Sequence, residues 1–244
     1  MKPRILFLMP ALLWAGAAVA QGATEKNGMG TKTNLDALTS GSMAVVPKAV
    51  ADGTVGSPYA DKRWLLAQLR TTNNRLLAPV PLKYDVLNAR LLMKPVDRPT
   101  DSLQLNDQLV AGFVLEEPTA AGQPARRRQF RRFAEAPQAE QRQKYVEVLH
   151  EGSYTLLKCY DKVLRKAQLE GGYSSSARSY DEISDKNTFY LTRAGGVAAP
   201  VKLTLKAMQA AAPELAAALK ASASAQAART ETDWVQVLAT VDAR

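Results

Sequence analysis

Apolar and polar positions from residue 57 onward fall into two regimes. Up to about residue 204, apolar residues come in short runs parted by turn residues, and beyond it the spacing becomes helical. WLLAQLR at 64–70 runs into Thr72, Asn73 and Asn74, and RLLAPVPL follows at 75–82. Apolar segments about an Asn-rich turn predict a hairpin, with an amphipathic helix over 61–71 as the competing reading. Pro79 and Pro81 cannot donate ladder hydrogen bonds, which places the second segment at a sheet edge. Further strands are expected at 90–94, 103–105 and 109–115, before a long polar stretch over 116–143. YVEVLHEGSYTLLKCY at 145–160 then reads as a hairpin turning at Glu151 and Gly152. TFYLT at 188–192 and VKLT at 201–204 flank Gly195 and Gly196 as another.

The remainder is helical. Pro213 suits the first turn of a helix reaching about Ala223. Thr230, Glu231, Thr232 and Asp233 open a last helix, in which Trp234, Val235, Val237, Leu238 and Val241 follow the 3.6-residue period. Strands followed by helices predict an α+β fold: a mainly antiparallel, strand-rich body over 57–204, built of hairpins and meanders, with a helical segment over 205–244 packed on it.

The first 56 residues have a different character. Lys2 and Arg4 precede an apolar run over 5–17, and Ala18, Val19 and Ala20 make a small-x-small cleavage pattern, so residues 1–20 read as a signal peptide. The run is shorter than the ~20 residues a membrane span needs, and Pro10 interrupts it. Residues 21–56 are rich in Gly, Ser, Thr, Ala and Asn, lack aromatics and show no period, which predicts a flexible tether. Within it, GMGTKT at 28–33 imitates the end of a phosphate-binding loop, but Thr31 stands where glycine should precede the lysine, and no strand comes before it. Loss of residues 1–20 removes Lys2 and Arg4 and no acid, lowering the net charge from +9 to +7. The single cysteine forms no internal disulfide, and a chain of this length can bury a core without one. No stretch after the first twenty residues is apolar enough to cross a bilayer.

Candidate chemistry is sparse. His150 and Cys159 are the only residues of their kinds. With the turn at Glu151 and Gly152, His150 lies opposite Ser153 and Cys159 opposite Lys144. The two then share a face but stand about 20 Å apart, beyond the ~3 Å a nucleophile and its base require. His150 is thus expected beside an exposed turn, with Glu147 and Lys158 as a diagonal surface ion pair. Asp181, Glu182 and Asp185 cluster in an expected polar loop but match neither a calcium loop nor a zinc site. One histidine and one cysteine leave little for a transition-metal site, and no Gly-x-Ser-x-Gly elbow occurs. Neither a catalytic residue, a metal ligand nor a cofactor is assigned, although a carboxylate-dependent polysaccharide hydrolase stays open as the alternative function.

One segment exceeds background. Arg126, Arg127, Arg128, Arg131 and Arg132 surround Phe130, with Phe133 beside them, and no acid occurs between Glu117 and Glu135. In an exported protein the expected counterpart is an anionic envelope polymer or lipid surface, or an envelope protein, rather than nucleic acid. The competing reading is a solvated arginine-rich loop or strand edge. SPYADKRW at 57–64, PLKYDVLNARLLMK at 81–94, KYVEVLHEGSYTLLKCYDKVLRKA at 144–167 and YDEISDKNTFYL at 180–191 together resemble a family of uncharacterised, signal-peptide-bearing bacterial proteins. The resemblance implies export, a strand-rich body and a helical C-terminus, and carries over no active site. The expectation is an exported, periplasmic or extracellular binding or structural protein of the envelope.

Overall fold

The structure is a computed structural model that describes Leu38 and residues 53–95, 100–167 and 180–242. Twelve strands lie among them: β1 (Leu65–Thr71), β2 (Val80–Asp85), β3 (Arg90–Met93), β4 (Leu103–Gln104), β5 (Val110–Glu117), β6 (Arg126–Arg132), β7 (Tyr145–Glu151), β8 (Tyr154–Cys159), β9 (Lys162–Arg165), β10 (Glu182–Asp185), β11 (Thr188–Arg193) and β12 (Ala199–Val201). Helices α1 (Leu205–Ala211), α2 (Ala216–Ala221), α3 (Ala223–Ala227) and α4 (Glu231–Val241) close the chain. Ten strands form one antiparallel sheet in the order β12-β11-β8-β7-β6-β5-β1-β2-β3-β4, while β9 and β10 pair separately. The fold is α+β as the pattern predicts: a large antiparallel sheet with C-terminal helices packed against it.

Leu65, Ala67 and Leu69 of β1 are buried, and the alternating residues Leu66, Gln68 and Arg70 are more open, so the period is that of a strand and not a helix. The second arm does not sit at an edge, because β2 pairs with both β1 and β3. Pro81 is tolerated there because its carbonyl accepts from the Lys94 amide at 3.0 Å, so its missing N–H points to the same side, just past the end of β3 at Met93. The polar stretch 116–143 likewise contains an interior strand, β6, paired with β5 and β7.

The sheet curls around one face. In sheet order β2 and β7 are four steps apart, roughly 19 Å across a flat sheet, yet the rings of Tyr84 and Tyr145 lie 5.6 Å apart, edge to face. Phe113 stacks on Phe130 at 4.8 Å and meets Tyr145 edge-on at 5.2 Å. These rings, with Leu65, Leu82 and Leu91, form the core inside the curl. A second core covers the same face of β8, β11 and β12, where Leu156, Leu191 and Val201 meet Met208, Leu219, Trp234 and Leu238 of the helices. A third, smaller cluster of Phe133, Val146, Leu157, Cys159 and Tyr190 fills the outer face of β7, β8 and β11.

The β7–β8 hairpin turns one residue later than its sequence predicts. Val146 pairs with Cys159, Val148 with Leu157, and after a bulge His150 pairs with Leu156. The bulge reverses the face of His150, so it points to the helix side and Cys159 to the other. Cys159 is wholly buried, and burial with Asp161 nearby pushes its thiol up to about 12. His150 does not stand beside open solvent, since its Nε2 lies 3.1 Å from Asp242 Oδ2 at the end of α4. The Asp242 carboxylate also accepts the turn amides of Ser153 and Tyr154, at 3.2 and 2.9 Å. A side chain at Gly152 would run into that carboxylate.

Other boundaries move as well. The arm expected at 201–204 is Ala199–Val201, because Thr204 caps α1 instead, and helix begins at Leu205 rather than Pro213. Pro213 opens a short 3-10 turn ahead of α2. Thr230 and Asp233 close a reciprocal capping box at α4 as the sequence predicts. Asp181, Glu182 and Asp185 lie on or beside strand β10, not in a loop, with Asp185 on Lys162 and Asp181 on Lys166. Leu38 packs into the first core and its carbonyl accepts the Asn106 amide at 2.9 Å, and Val55 bridges to Glu182, so these points of the expected tether are joined to the body. The signal-peptide segment, most of 21–56 and the GMGTKT sequence lie outside the described residues.

Trp234 is fully buried and its Nε1 donates to the Leu203 carbonyl at 3.0 Å. Trp234→Ala is therefore expected to lower stability by about 3 to 5 kcal/mol, read from urea unfolding; an unchanged midpoint would mean that α4 contributes nothing to the core.

Candidate functional site

The two-residue period of β6 parts its arginines between the two faces of the sheet. Arg126, Arg128, Phe130 and Arg132 turn inward, opposite Glu117, Leu115 and Phe113 of β5 for the first three, and Arg127 and Arg131 turn outward, opposite Glu116 and Gly112.

Arg128 is 8% exposed and ligated all round. Its Nε and Nη2 donate to the two oxygens of Glu147, each at 2.9 Å, its Nη1 to Asp61 Oδ2 at 3.2 Å and its Nη2 to the Tyr160 hydroxyl at 2.8 Å. The Tyr160 hydroxyl in turn donates to Glu147 Oε2. Arg63 joins Asp61 at 2.9 Å to Glu117 at 2.6 Å, and Arg126 lies 3.7 Å from Glu117 and 3.9 Å from Glu147. Three guanidinium groups thus meet three carboxylates at one mouth of the curl. Burial acts to raise the Glu147 carboxyl, but the hydrogen bonds and charge of Arg128, helped by Tyr160 and Lys158, hold it below the usual carboxylate range. The same opposition, led by burial and won by Arg63 and Arg128, lowers Asp61.

The other arginines are also occupied, with one exception. Arg131 forks onto Glu135 at 2.7 and 2.9 Å. Arg132 lies 4.1 Å above the Tyr145 ring and donates to the carbonyls of Asp107 and Gln143. Arg127 is exposed and makes no ion pair among the described residues. Phe130 and Phe133 are 1% and 0% exposed, so neither can supply the surface aromatic contact expected of them. The Glu147–Lys158 surface pair is corrected too: Glu147 is buried on Arg128, and Lys158 reaches Glu231 at 2.6 Å. The gap in acids between Glu117 and Glu135 gave no sign of this, because the partners arrive from Asp61 and Glu147 on other elements.

Sequence reasoning missed a second group on the outer face. With Leu65, Ala67 and Leu69 filling the inner face, Trp64 and Leu66 must look outward, an apolar pair where polar residues are expected. Leu66 is 43% exposed and stands opposite Pro81, which sets Trp64 beside Lys83. The Lys83 ammonium lies 4.5 Å from the Tyr59 ring and 5.0 Å from the Trp64 ring, and the Lys94 ammonium lies 5.2 Å from Trp64. Burial first, and then the charge of Lys94, depress the Lys83 ammonium, with Asp61 opposing. Lys83 has no carboxylate within ion-pair distance among the described residues. Two cations thus approach one indole, and Lys94, like Lys83, makes no ion pair among the described residues.

A glycosidase acid requires a carboxyl whose pKa is raised, whereas each described carboxyl that is displaced (Asp61, Glu135, Glu147, Asp181, Asp233 and Asp242) is displaced downward. A cavity of about 130 Å³ near Leu38, Thr72, Arg75 and Leu109 is lined by no carboxylate. No group of three or more His, Cys, Asp or Glu side chains that could hold a metal ion occurs among the described residues.

The buried network yields a pH test. Glu147 and Asp61 have folded-state pKa values below their unfolded ones, so their stabilisation is present above ~4 and is lost as pH falls through the folded values. Arg128→Gln leaves Glu147 buried without its main partner and should cost about 3 to 5 kcal/mol at neutral pH. Burial then raises the Glu147 carboxyl, so the deficit against wild type should shrink as the medium is acidified and Glu147 takes up a proton. Urea midpoints across the acid range measure this, and a deficit that stays constant with pH would show that Arg128 acts through packing alone.

Comparison with protein-family models, curated proteins and solved structures finds no match to this chain.

Proposed function

We propose that the protein is an exported, non-catalytic binding protein of the bacterial envelope that holds an anionic polymer against the outer face of its sheet. The observation that carries this reading is the division of charge between the faces. Inside, Arg63, Arg126 and Arg128 are matched by Asp61, Glu117 and Glu147. Outside, Lys83 and Arg127 lack ion-pair partners among the described residues, and Lys94 stands beside Lys83 at the same indole. Leu66 and Trp64 lie beside the lysines and give an apolar floor on which a bound chain sheds water, with Glu116 between Leu66 and Arg127 as the one acid of that row. The charged segment of residues 1–20 with its small-residue cleavage pattern supports delivery to the envelope. None of the described helices is long and apolar enough to cross a membrane.

Binding to a soluble anionic polysaccharide such as heparin or a phosphorylated dextran tests the reading. Affinity should fall steeply as the salt concentration rises from ~0.1 M to ~1 M and the screening length shrinks from about 10 to about 3 Å. The triple variant Lys83→Gln, Lys94→Gln, Arg127→Gln should lose binding with its melting temperature nearly unchanged. Arg131→Gln should retain it, because that guanidinium is already committed to Glu135. Equal loss in both variants, or none in the triple, would remove the outer face from the function.

A further inference from the structure

We propose that Lys83 and Lys94, gathered at the Trp64 indole, form a subsite for a phosphate monoester. The inference rests on the outer face as the binding surface and names the group that face recognises. Lys94 stands opposite Pro81, two residues before Lys83 on β2, so the two lysines are diagonal neighbours on one face, and both ammonium groups approach one ring, at 5.0 and 5.2 Å from its centre. Lys83 is also drawn to the Tyr59 ring, 4.5 Å away, so its ammonium is held against two aromatic rings. Such rings compensate a cation only in part and keep water away from one side of it. The depressed Lys83 ammonium, through burial and the neighbouring Lys94, agrees with a site whose charge is completed by a ligand.

Charge count and shape choose among anions. Two neighbouring ammonium groups are neutralised together by one dianion, whereas a carboxylate matches only one of them. A monoester phosphate carries about −1.5 to −2 at neutral pH and offers three acceptor oxygens in tetrahedral array. Ammonium groups are compact point charges with rotatable donors and suit that array, while planar carboxylates are better met by the fork of arginine. The guanidinium groups at the nearby rim are already filled by carboxylates, which leaves the lysines as the receptive pair. Trp64 and Leu66 then provide an apolar surface for whatever carries the phosphate.

Trp64 also supplies the readout. Trp234 is buried and hydrogen-bonded within the helical core, so it reports folding rather than occupancy of the outer face. Titration of the full chain with inorganic phosphate should give a saturable change in indole fluorescence, which Trp64→Phe removes while calorimetry still detects binding. Lys83→Gln and Lys94→Gln should each weaken phosphate by about tenfold, the loss of one charge-assisted contact, with melting temperatures kept. Acetate at matched ionic strength should give no saturable response. Glucose 6-phosphate and phosphatidylcholine vesicles doped with phosphatidic acid distinguish the carrier. Competition by the sugar phosphate without vesicle sedimentation assigns a glycan, and sedimentation that the lysine variants lose assigns a lipid headgroup. Phosphate affinity unchanged in both lysine variants, acetate competing as well as phosphate, or no calorimetric phosphate binding would overturn the proposal. Loss of polysaccharide binding in the triple variant, with no phosphate binding in wild type, would sink this inference alone and leave the outer face as the binding surface.

Discussion

Burying the Arg128 guanidinium commits the surrounding chain to supply oxygens from separate elements. They come from Asp61 before β1, Glu147 on β7 and Tyr160 just past β8. An uncompensated charge at that depth costs several kcal/mol, so any arrangement that fails to bring these groups together is penalised. The pair also sets register. Glu147 stands opposite Phe130, and a slip of β7 by one residue would turn the carboxylate outward and bring Val146 or Val148 to the inner face. Strand pairing near the middle of a ten-stranded sheet is thereby tied to one polar contact.

That contact lies at a seam. Across the inner face, Phe113, Phe130, Glu147, Lys158, Phe189 and Val201 are successive cross-strand neighbours. Phe113 and Phe130 on one side belong to the core inside the curl, and Phe189 and Val201 on the other to the core under the helices. Glu147 and Lys158 interrupt the row, yet each is satisfied away from the other, Glu147 by Arg128 and Lys158 by Glu231 at the start of α4. The helices are fastened again at the opposite end of α4, where Asp242 accepts the amides of the β7–β8 turn. Both ends of the last helix are thus bound to the same hairpin.

With the inner face filled by side chains and ion pairs, the proposed contact with a partner is assigned to the outer face. There the curl makes a convex surface on which Lys83 and Lys94 stand beside Leu66 and Trp64, with Glu116 between Leu66 and Arg127. The aromatic rings beside Lys83 place a charge where its solvation is incomplete, the kind of compensated expense that recognition sites tolerate and cores avoid.

Local pattern was enough for the type of most elements. The apolar runs on either side of the Asn-rich turn at 72–74 pointed to β1 as a hairpin arm, the Thr230 and Asp233 spacing determined the start of α4, and the spacing of Trp234 and Leu238 determined which side of that helix is buried. These features rest on contacts within a few residues, so they are legible in order along the chain. The interior position of β2, the bulge that reverses His150 and the burial of Arg128 and Phe130 were not legible, because each depends on what a distant segment places alongside. The arginine run shows the difference most directly. By itself the sequence determined that five guanidinium groups fall within a short segment with two phenylalanines. Only the tertiary structure decided that three of them face inward, because whether a cation is solvated or paired depends on the acids brought within a few ångströms, and Asp61 and Glu147 arrive by folding rather than by proximity in the chain.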